Sequence, residues 1–320
     1  MGRTAVGFHE GMPVATLIAS GSWLMSFLDR ICAVNRYDWS GFRAFRVAGV
    51  QVGFVKHAFA EILARWPAVF HVEATQVSLA DVLGSPQARS AAVREALLSL
   101  RDEGLIKGWR DELYPVNRRY AEVPYLLMER AAIPLFGVCA YGVHLNGFVR
   151  DKDGLQMWIG RRSLTKFSAP GKLDQLVAGG QPAGLGLKAN MVKECWEEAG
   201  IAPELAQRAL PVGAISYCRE TSQGLRPDVI FNFDLELPSD FIPVSMDGEM
   251  EEFYLWPIEK VIETVRETDA FKLNCALVVI DFLVRRGFIA PEQPDYMEIL
   301  HGLLARETAL AEYARRRDPG

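Results

Sequence analysis

The sequence has no excess of basic residues. Its 320 residues include 35 Lys and Arg against 40 Asp and Glu, which gives a formal net charge of −5 at pH 7. Proteins that bind nucleic acid or anionic membranes through general electrostatic attraction carry the opposite balance. The composition therefore predicts neither a nucleic-acid partner nor a membrane partner.

Cysteines at metal-binding or disulfide spacing are also missing from the sequence. The five cysteines are odd in number and scattered, without a CxxC motif: Cys32, Cys139, Cys195, Cys218 and Cys275. Zinc sites and disulfide frameworks need closely spaced or paired cysteines, so this pattern indicates reduced thiols. We expect a cytoplasmic protein.

Long hydrophobic runs are scarce. The most apolar stretch, residues 131–149, is interrupted by Pro134, three glycines, His144 and Asn146. Such a stretch fits a helix end followed by a buried strand better than a bilayer-spanning helix. The first residues also lack the apolar core of a secretory signal peptide. Both observations agree with the expected cytoplasmic location.

A cluster of carboxylates is the most informative feature that the sequence does contain. Leu187 to Ala199 has neither Pro nor Gly and is followed by Gly200, which predicts a helix that ends there. On this helix Glu194, Glu197 and Glu198 share one face at i, i+3 and i+4. Carboxylates at such short distances repel each other unless cations lie among them. Hard divalent cations such as Mg²⁺ prefer oxygen ligands.

The same stretch resembles the Nudix box. That motif is a glycine, five residues, a glutamate, seven residues, and then Arg-Glu-apolar-any-Glu-Glu-any-Gly-apolar. Gly179 matches the opening glycine and residues 193–201 match the tail, with Lys193 in place of arginine and Leu185 in place of the first glutamate. In the family those two residues help to brace the loop against the helix. We therefore treat Leu185 and Lys193 as one coupled change, which leaves the number of bound metal ions open.

The resemblance implies a metal-dependent diphosphatase that uses Mg²⁺ or Mn²⁺. Its metal ligands and catalytic residues would be the three helix carboxylates, Glu194, Glu197 and Glu198. Glu249, in a predicted turn before a strand, is the candidate for an additional catalytic acidic group or general base, because relatives often place one there. Asp247, Glu251 and Glu252 are its competitors in the same turn.

Longer matches narrow the resemblance. The run from Trp158 to Gly184 is similar to a Nudix branch associated with thiamine pyrophosphokinases. Residues 109–116, 129–149, 247–256 and 271–287 match the same branch. The resemblance implies hydrolysis of diphosphates of damaged thiamine, such as oxo- or oxythiamine diphosphate, to monophosphates.

Candidate substrate contacts flank the box. Arg161, Arg162, Lys166 and Lys172 are candidates for phosphate binding, together with the glycine pair Gly179 and Gly180. Alternation along a strand sends Arg161 and Arg162 to opposite faces, so at least two of the four cations are expected to be ordinary surface residues. Trp158, Tyr217 and Phe231 could stack on a flat cationic ring, although core packing explains each of them equally well. His144 is predicted to be a hydrogen-bonded core histidine.

The predicted fold is α/β, with a small α/β accessory domain before a Nudix α/β/α sandwich that contains a mixed sheet. We divide the chain into a poorly ordered extension (1–25), the accessory domain (26–130), the Nudix hydrolase domain (131–290) and a C-terminal helix and tail (291–320). Residues 88–116 have the helix–turn–strand order of a winged helix. Acidic residues are interleaved with the basic ones there, so we expect no DNA surface.

The sequence leaves three alternatives to this function. The first is a hydrolase of oxidised nucleoside diphosphates such as 8-oxo-dGDP, because the box does not distinguish the leaving group. The second is a ligand-sensing module that has lost catalysis, which Leu185 and the accessory domain suggest and the three carboxylates oppose. The third is an isopentenyl diphosphate isomerase, which residues 161–174 resemble. Those enzymes need a cysteine that residues 175–180 lack.

Overall fold

A computed structural model describes residues 26–152 and 154–317. Its helices are α1 (Phe27–Val34), α2 (His57–Leu63), α3 (Pro86–Asp102), α4 (Leu187–Ala199), α5 (Pro203–Ala206), α6 (Ile258–Glu267), α7 (Leu273–Arg285), α8 (Tyr296–Gly302) and α9 (Ala305–Arg317). Short 3-10 helices span Trp39–Gly41 and Arg130–Phe136. The predicted extension at residues 1–25 lies outside the described residues.

The strands number fifteen among the described residues. They are β1 (Phe42–Val47), β2 (Val50–Lys56), β3 (Phe70–Val72), β4 (Gln76–Leu79), β5 (Leu113–Val116), β6 (Leu126–Glu129), β7 (Tyr141–Asp151), β8 (Gly154–Arg162), β9 (Leu173–Gln175), β10 (Val177–Gly180), β11 (Leu210–Ser216), β12 (Arg219–Glu220), β13 (Leu225–Arg226), β14 (Val229–Glu236) and β15 (Met250–Pro257).

The first sheet has four strands in the order β2-β1-β4-β3. Strands β1 and β2 form a hairpin, and its turn residues Ala48 and Gly49 both have positive φ angles, of 50° and 75°. Helix α3 begins where Ser85 accepts a hydrogen bond from the Ala88 N–H and Pro86 occupies the first turn. Its buried face, which includes Val93 and Leu97, packs in the same core as this sheet.

The second sheet has seven strands and is mixed. Its main path is β11-β14-β7-β8-β15, with β10 paired to β7 and β9 paired to β8. Strands β14 and β7 run parallel, and the other pairs in this sheet are antiparallel. Helix α4 packs in the core on one face, and α6 and α7 pack in the core on the other. The predicted α/β/α sandwich with a mixed sheet is therefore confirmed.

Two parts of the chain are divided into shorter elements. Residues 173–180 form the two strands β9 and β10, each of which pairs with a different strand. The single C-terminal helix predicted within residues 291–320 is two helices, α8 and α9. Helix α1, from the predicted accessory range, packs with Ile31 and Val34 in the core that contains α7. None of the helices among the described residues combines the length and apolarity that a bilayer-spanning segment requires.

Candidate active site

Helix α4 is fixed rigidly on one side. Met191, Cys195 and Ala199 are fully buried against the seven-stranded sheet. The helix ends at Gly200, whose φ of 64° lies in the left-handed region that glycine adopts easily. The Gly200 and Ile201 N–H groups then donate to the carbonyls of Trp196 and Cys195, each at 3.0 Å, so the last turn is closed by hydrogen bonds.

Two buried amides hold the loop before α4. Asn190 donates from Nδ2 to the Gly180 carbonyl at 2.7 Å and to Oε1 of Gln181 at 3.1 Å. Gln181 in turn donates from Nε2 to the Leu185 carbonyl. Leu185 therefore takes part in this bracing through its backbone, and the hydrogen bonds that join loop and helix come from Gln181 and Asn190.

Lys193 lies away from that loop bracing. Its ammonium contacts Glu197, one turn further along α4, and Oε1 of Glu194 at 3.3 Å. The structure thus gives no contact through which Lys193 and Leu185 would act as a coupled pair. The reason is geometric, because Lys193 lies on the exposed side of α4 beside Glu197.

The three carboxylates of α4 have different environments. Glu198 is 2 % exposed and accepts a hydrogen bond from the Ala178 N–H at 2.6 Å. Burial raises the pKa of Glu198 to about 8, and the charges of nearby carboxylates act in the same direction. Burial also raises the pKa of Glu194. Glu197 is half-exposed and paired with Lys193.

The Glu194 side chain explains the first glycine of the box. A Cβ atom on Gly179 would lie 2.4 Å from Cδ of Glu194, so a larger residue cannot stand there without moving the carboxylate. The glycine therefore lets strand β10 approach α4 closely. This contact places the backbone of Gly179 directly beside one of the predicted metal ligands.

A second group of carboxylates comes from the loop between β14 and β15. Oxygen atoms of Glu198, Asp247 and Glu249 lie within 4.8 Å of one another. The loop is fixed to the end of α4, because the Asp247 N–H donates to the Glu197 carbonyl at 3.1 Å. Of the three predicted metal ligands, only Glu198 belongs to this group; Glu194 and Glu197 do not.

This group suits a hard divalent cation. Three carboxylate oxygens are the donor set that Mg²⁺ and Mn²⁺ accept, and a buried carboxyl with a raised pKa is a group whose charge lacks compensation. Lys166 forms an ion pair with Glu249 and neutralises part of the negative charge. The residues present therefore fit the metal that the sequence predicts.

A cavity of about 850 Å³ lies beside these carboxylates. Nine basic side chains line it against three acidic ones, although the whole chain has a net charge of −5. The predicted site residues that line it are Arg162, Lys166, Lys172, Gly179, Gly180, Tyr217 and Glu249. The excess of positive charge suits a phosphorylated ligand.

Two predicted substrate contacts, both among the described residues, lie elsewhere. Arg161 pairs with Glu252 at 3.1 Å and Glu251 at 3.6 Å on the outside of β15. Trp158 is 9 % exposed and packs in the core beneath α4. Arg162 and Arg161 thus point to opposite faces of β8, as the alternation predicts.

The guanidinium of the cavity residue Arg162 is hydrogen-bonded to other residues of the protein. Its Nη1 lies 2.8 Å from Oδ2 of Asp174, and Nε and Nη2 donate to the carbonyls of Ser168 and Ala169. Arg162 therefore fixes the loop 163–171 rather than offering a free guanidinium. On that loop Phe167 is 68 % exposed and lines the cavity, a position that the sequence pattern does not reveal.

Residues before the box complete the cavity wall. Tyr114 on β5 places its hydroxyl where a Cβ of Gly180 would be, at 1.7 Å, and Arg130 lies 3.4 Å from the same point. The Leu113 carbonyl accepts a hydrogen bond from the Ala183 N–H at 2.9 Å. Lys107 and Arg110 line the cavity from the same part of the chain. Residues 109–116 and 129–149 match the thiamine-associated branch, but the match does not reveal that Tyr114 and Arg130 meet the box, because that contact arises only through the tertiary fold.

Together these features describe an enzyme that hydrolyses phosphate anhydrides. Carboxylates that suit a divalent cation border a cavity whose charge suits a phosphorylated small molecule, and phosphoryl transfer requires mainly positioning and charge stabilisation.

The chain is similar to plant proteins along most of its length. It is 41 % identical over 300 residues to Nudix hydrolase 20, chloroplastic, of Arabidopsis thaliana. That alignment covers 90 % of this chain and 80 % of the plant protein. Nudix hydrolase 24, chloroplastic, of the same organism is 41 % identical over 289 residues, covering 89 % and 79 %. The chain belongs to the Nudix hydrolase family, whose members generally use divalent metal ions.

Two further similarities cover parts of the chain. A family model described as a domain of unknown function, DUF4743, matches residues 26–140. Among solved structures, the Nudix domain of Shewanella oneidensis NrtR complexed with ADP ribose aligns with a TM-score of 0.38 at 12 % identity. That alignment covers 47 % of this chain and 90 % of the other.

Proposed function

We propose that this Nudix hydrolase cleaves the diphosphate of a damaged thiamine, such as oxo- or oxythiamine diphosphate, to the monophosphate with Mg²⁺ or Mn²⁺. The observation that carries the proposal is the basic cavity of about 850 Å³ beside the carboxylates, which has room for a two-ring organic group. The resemblance of Trp158–Gly184 to the thiamine-associated branch supports the identity of that group.

Glu198 and Asp247 would hold the cation, with Glu194 beside Gly179 as a further ligand, and Glu249 borders this group. When bound, the cation neutralises phosphate oxygens and lowers the pKa of a water molecule. Lys166 and Lys172 line the cavity and would neutralise the phosphates.

Glu249 is the proposed general base. Burial acts to raise its pKa, but the ion pair with Lys166 outweighs burial and the pKa is lowered overall. The carboxylate is therefore ionised at neutral pH and can accept a proton from an attacking water.

A hydrolysis screen with Mg²⁺ and Mn²⁺ tests the proposal. Thiamine diphosphate, oxo- and oxythiamine diphosphate, canonical nucleoside diphosphates and 8-oxo-dGDP are compared by kcat/KM. We expect the damaged thiamine compounds to be the best substrates and to release monophosphate. Faster turnover of 8-oxo-dGDP would assign the enzyme to oxidised nucleotides instead, and turnover of neither group would reject both substrates.

Variants of the helix carboxylates tie the activity to this site. Glu198→Gln should abolish turnover without unfolding the protein, because it removes a charge from the group that would hold the cation. Glu197 lies outside that group and pairs with Lys193, so Glu197→Gln should reduce turnover much less. Near wild-type rates of Glu198→Gln at subsaturating Mg²⁺ would show that the site is elsewhere. A location in the cytoplasm and the lack of a nucleic-acid partner belong to the same proposal.

A further inference from the structure

The inner wall of the cavity contains a polar cluster that the hydrolysis chemistry above does not use. At its centre is Asp174, which is fully buried on β9. The Cys275 thiol lies 2.6 Å from Oδ1 of Asp174, and Arg162 and Lys272 lie 2.8 and 3.5 Å from Oδ2. Two cations thus share a single carboxylate at the wall of a ligand-sized cavity.

The cluster is unsuited to a metal ion. His144, Asp174 and Cys275 do offer ligand atoms within 4.8 Å of one another. However, Arg162 and Lys272 already neutralise the only carboxylate, and burial raises the pKa of the Cys275 thiol well above its usual range. A further cation would be repelled, so the cluster is better suited to a neutral or negative group.

Lys272 has hydrogen-bond donors to spare. An ammonium group carries three N–H donors, and the described residues provide only the long contact of 3.5 Å to Asp174. Its side chain is 21 % exposed and lines the cavity. Burial favours the neutral amine, but Asp174 outweighs burial and raises the pKa, so Lys272 stays charged.

His144 offers the complementary acceptor. Gln175 donates from Nε2 to the Cys275 carbonyl at 2.7 Å, so its Oε1 is the atom that faces Nδ1 of His144 at 2.8 Å. This orientation assigns the ring hydrogen to Nδ1 and leaves the lone pair on Nε2. Nε2 has no hydrogen bond to any described residue, and His144 lines the cavity. Burial lowers the pKa of His144 to about 4, so the ring is neutral.

We propose that Lys272 and His144 together recognise a ring edge on which a carbonyl stands beside an N–H group. The Lys272 ammonium donates to the carbonyl oxygen, and Nε2 of His144 accepts from the N–H. This inference rests on the proposed function and narrows it to oxythiamine diphosphate, because oxythiamine carries such an edge where thiamine has an amino group beside a ring nitrogen. In thiamine the N–H of the amino group would face the N–H donors of the Lys272 ammonium, and the lone pair of the ring nitrogen would face the lone pair on Nε2 of His144. Neither contact can form a hydrogen bond, so the undamaged ring is disfavoured.

The test compares two substrates that differ only at this edge. The ratio of kcat/KM for oxythiamine diphosphate to that for thiamine diphosphate is measured for the wild type, Lys272→Met and His144→Leu. Lys172→Met is the matched control, since Lys172 also lines the cavity but pairs with the exposed Asp269. We expect Lys272→Met to lower the ratio about tenfold or more, the usual effect of a charged hydrogen bond. His144→Leu should lower it as well, whereas Lys172→Met should slow both substrates alike.

A second measurement does not depend on the variants. Isothermal titration of the wild type with free oxythiamine and free thiamine compares the rings without their phosphates, and we expect the oxythiamine ring to bind more tightly. If Lys272→Met does not fold, the comparison of the two free rings tests the inference in its place. Equal binding of the two rings overturns the inference.

The outcomes separate this inference from the proposed function. If the wild type hydrolyses neither diphosphate, the proposed function fails. If it hydrolyses both and Lys272→Met lowers both rates by the same factor, Lys272 binds phosphate and only the ring-recognition inference fails.

Discussion

Replacing Glu198 with glutamine should stabilise the metal-free protein at alkaline pH while removing its activity. The pKa of Glu198 is about 8 in the folded protein and 4.5 in the reference state. Between these pH values the folded state holds a proton that the unfolded chain has lost. Stability therefore falls as the pH rises from 4.5 to 8.

The size of this effect follows from the same two values. The unfavourable contribution of Glu198 is about 2 kcal/mol at pH 6 and about 4 kcal/mol at pH 8, at 1.36 kcal/mol for each pKa unit. Glutamine stays neutral, and its carbonyl can still accept the hydrogen bond from Ala178. Between pH 6 and pH 8 the wild type should therefore lose about 2 kcal/mol more than Glu198→Gln.

Denaturant unfolding in the presence of a chelator measures the difference. Glu197→Gln is the control, because it makes the same substitution at a half-exposed carboxylate of the same helix. Added Mg²⁺ should stabilise the wild type at pH 8 and have much less effect on Glu198→Gln. If the wild type and Glu198→Gln lose stability in parallel from pH 6 to pH 8, Glu198 does not carry the proton and the reasoning is wrong.

Three further experiments test the loop and the cavity wall. Asn190→Ala removes two hydrogen bonds that join loop and helix, and should cost about 1–3 kcal/mol in urea unfolding and lower kcat; unchanged stability would contradict the bracing role. Leu185→Glu and Lys193→Arg should be additive within about 0.5 kcal/mol in a double-mutant cycle, since the two side chains have separate partners; a larger coupling would show that the loop rearranges. Arg130→Ala should raise KM about tenfold with little change in kcat, whereas Arg65→Ala, which breaks a surface ion pair away from the cavity, should change neither; equal KM values would exclude Arg130 from substrate binding.

Local sequence patterns determined much of what could be predicted. The spacing of Glu194, Glu197 and Glu198 gave their common face, and Gly200 gave the end of α4, because both depend on residues within one or two helical turns. The alternation of Arg161 and Arg162 followed from strand geometry alone. The sandwich was predicted from the resemblance to the Nudix box together with the mixture of helices and strands.

Contacts between distant parts of the chain were beyond such patterns. Asp247 joins Glu198 because the loop backbone is hydrogen-bonded to the end of α4, and no spacing rule encodes that contact. Trp158 was a plausible stacking residue by type, but its strand position places it in the core. Gln181 and Asn190 brace the loop through buried amides, which resemble ordinary polar residues in the sequence.

The contact between Tyr114 and Gly180 has a consequence for protein engineering. Because the phenol occupies the space that a side chain at residue 180 would need, the two positions can change only together. The part of the chain that contains the box therefore cannot be transferred to another protein without β5. A fragment that begins after β6 would lack Tyr114 and leave the space beside Gly180 unfilled. A chimera that takes the first half of the chain from a distant homologue could have the same defect. Any recombination library should keep residues 113–116 and 179–183 from the same parent.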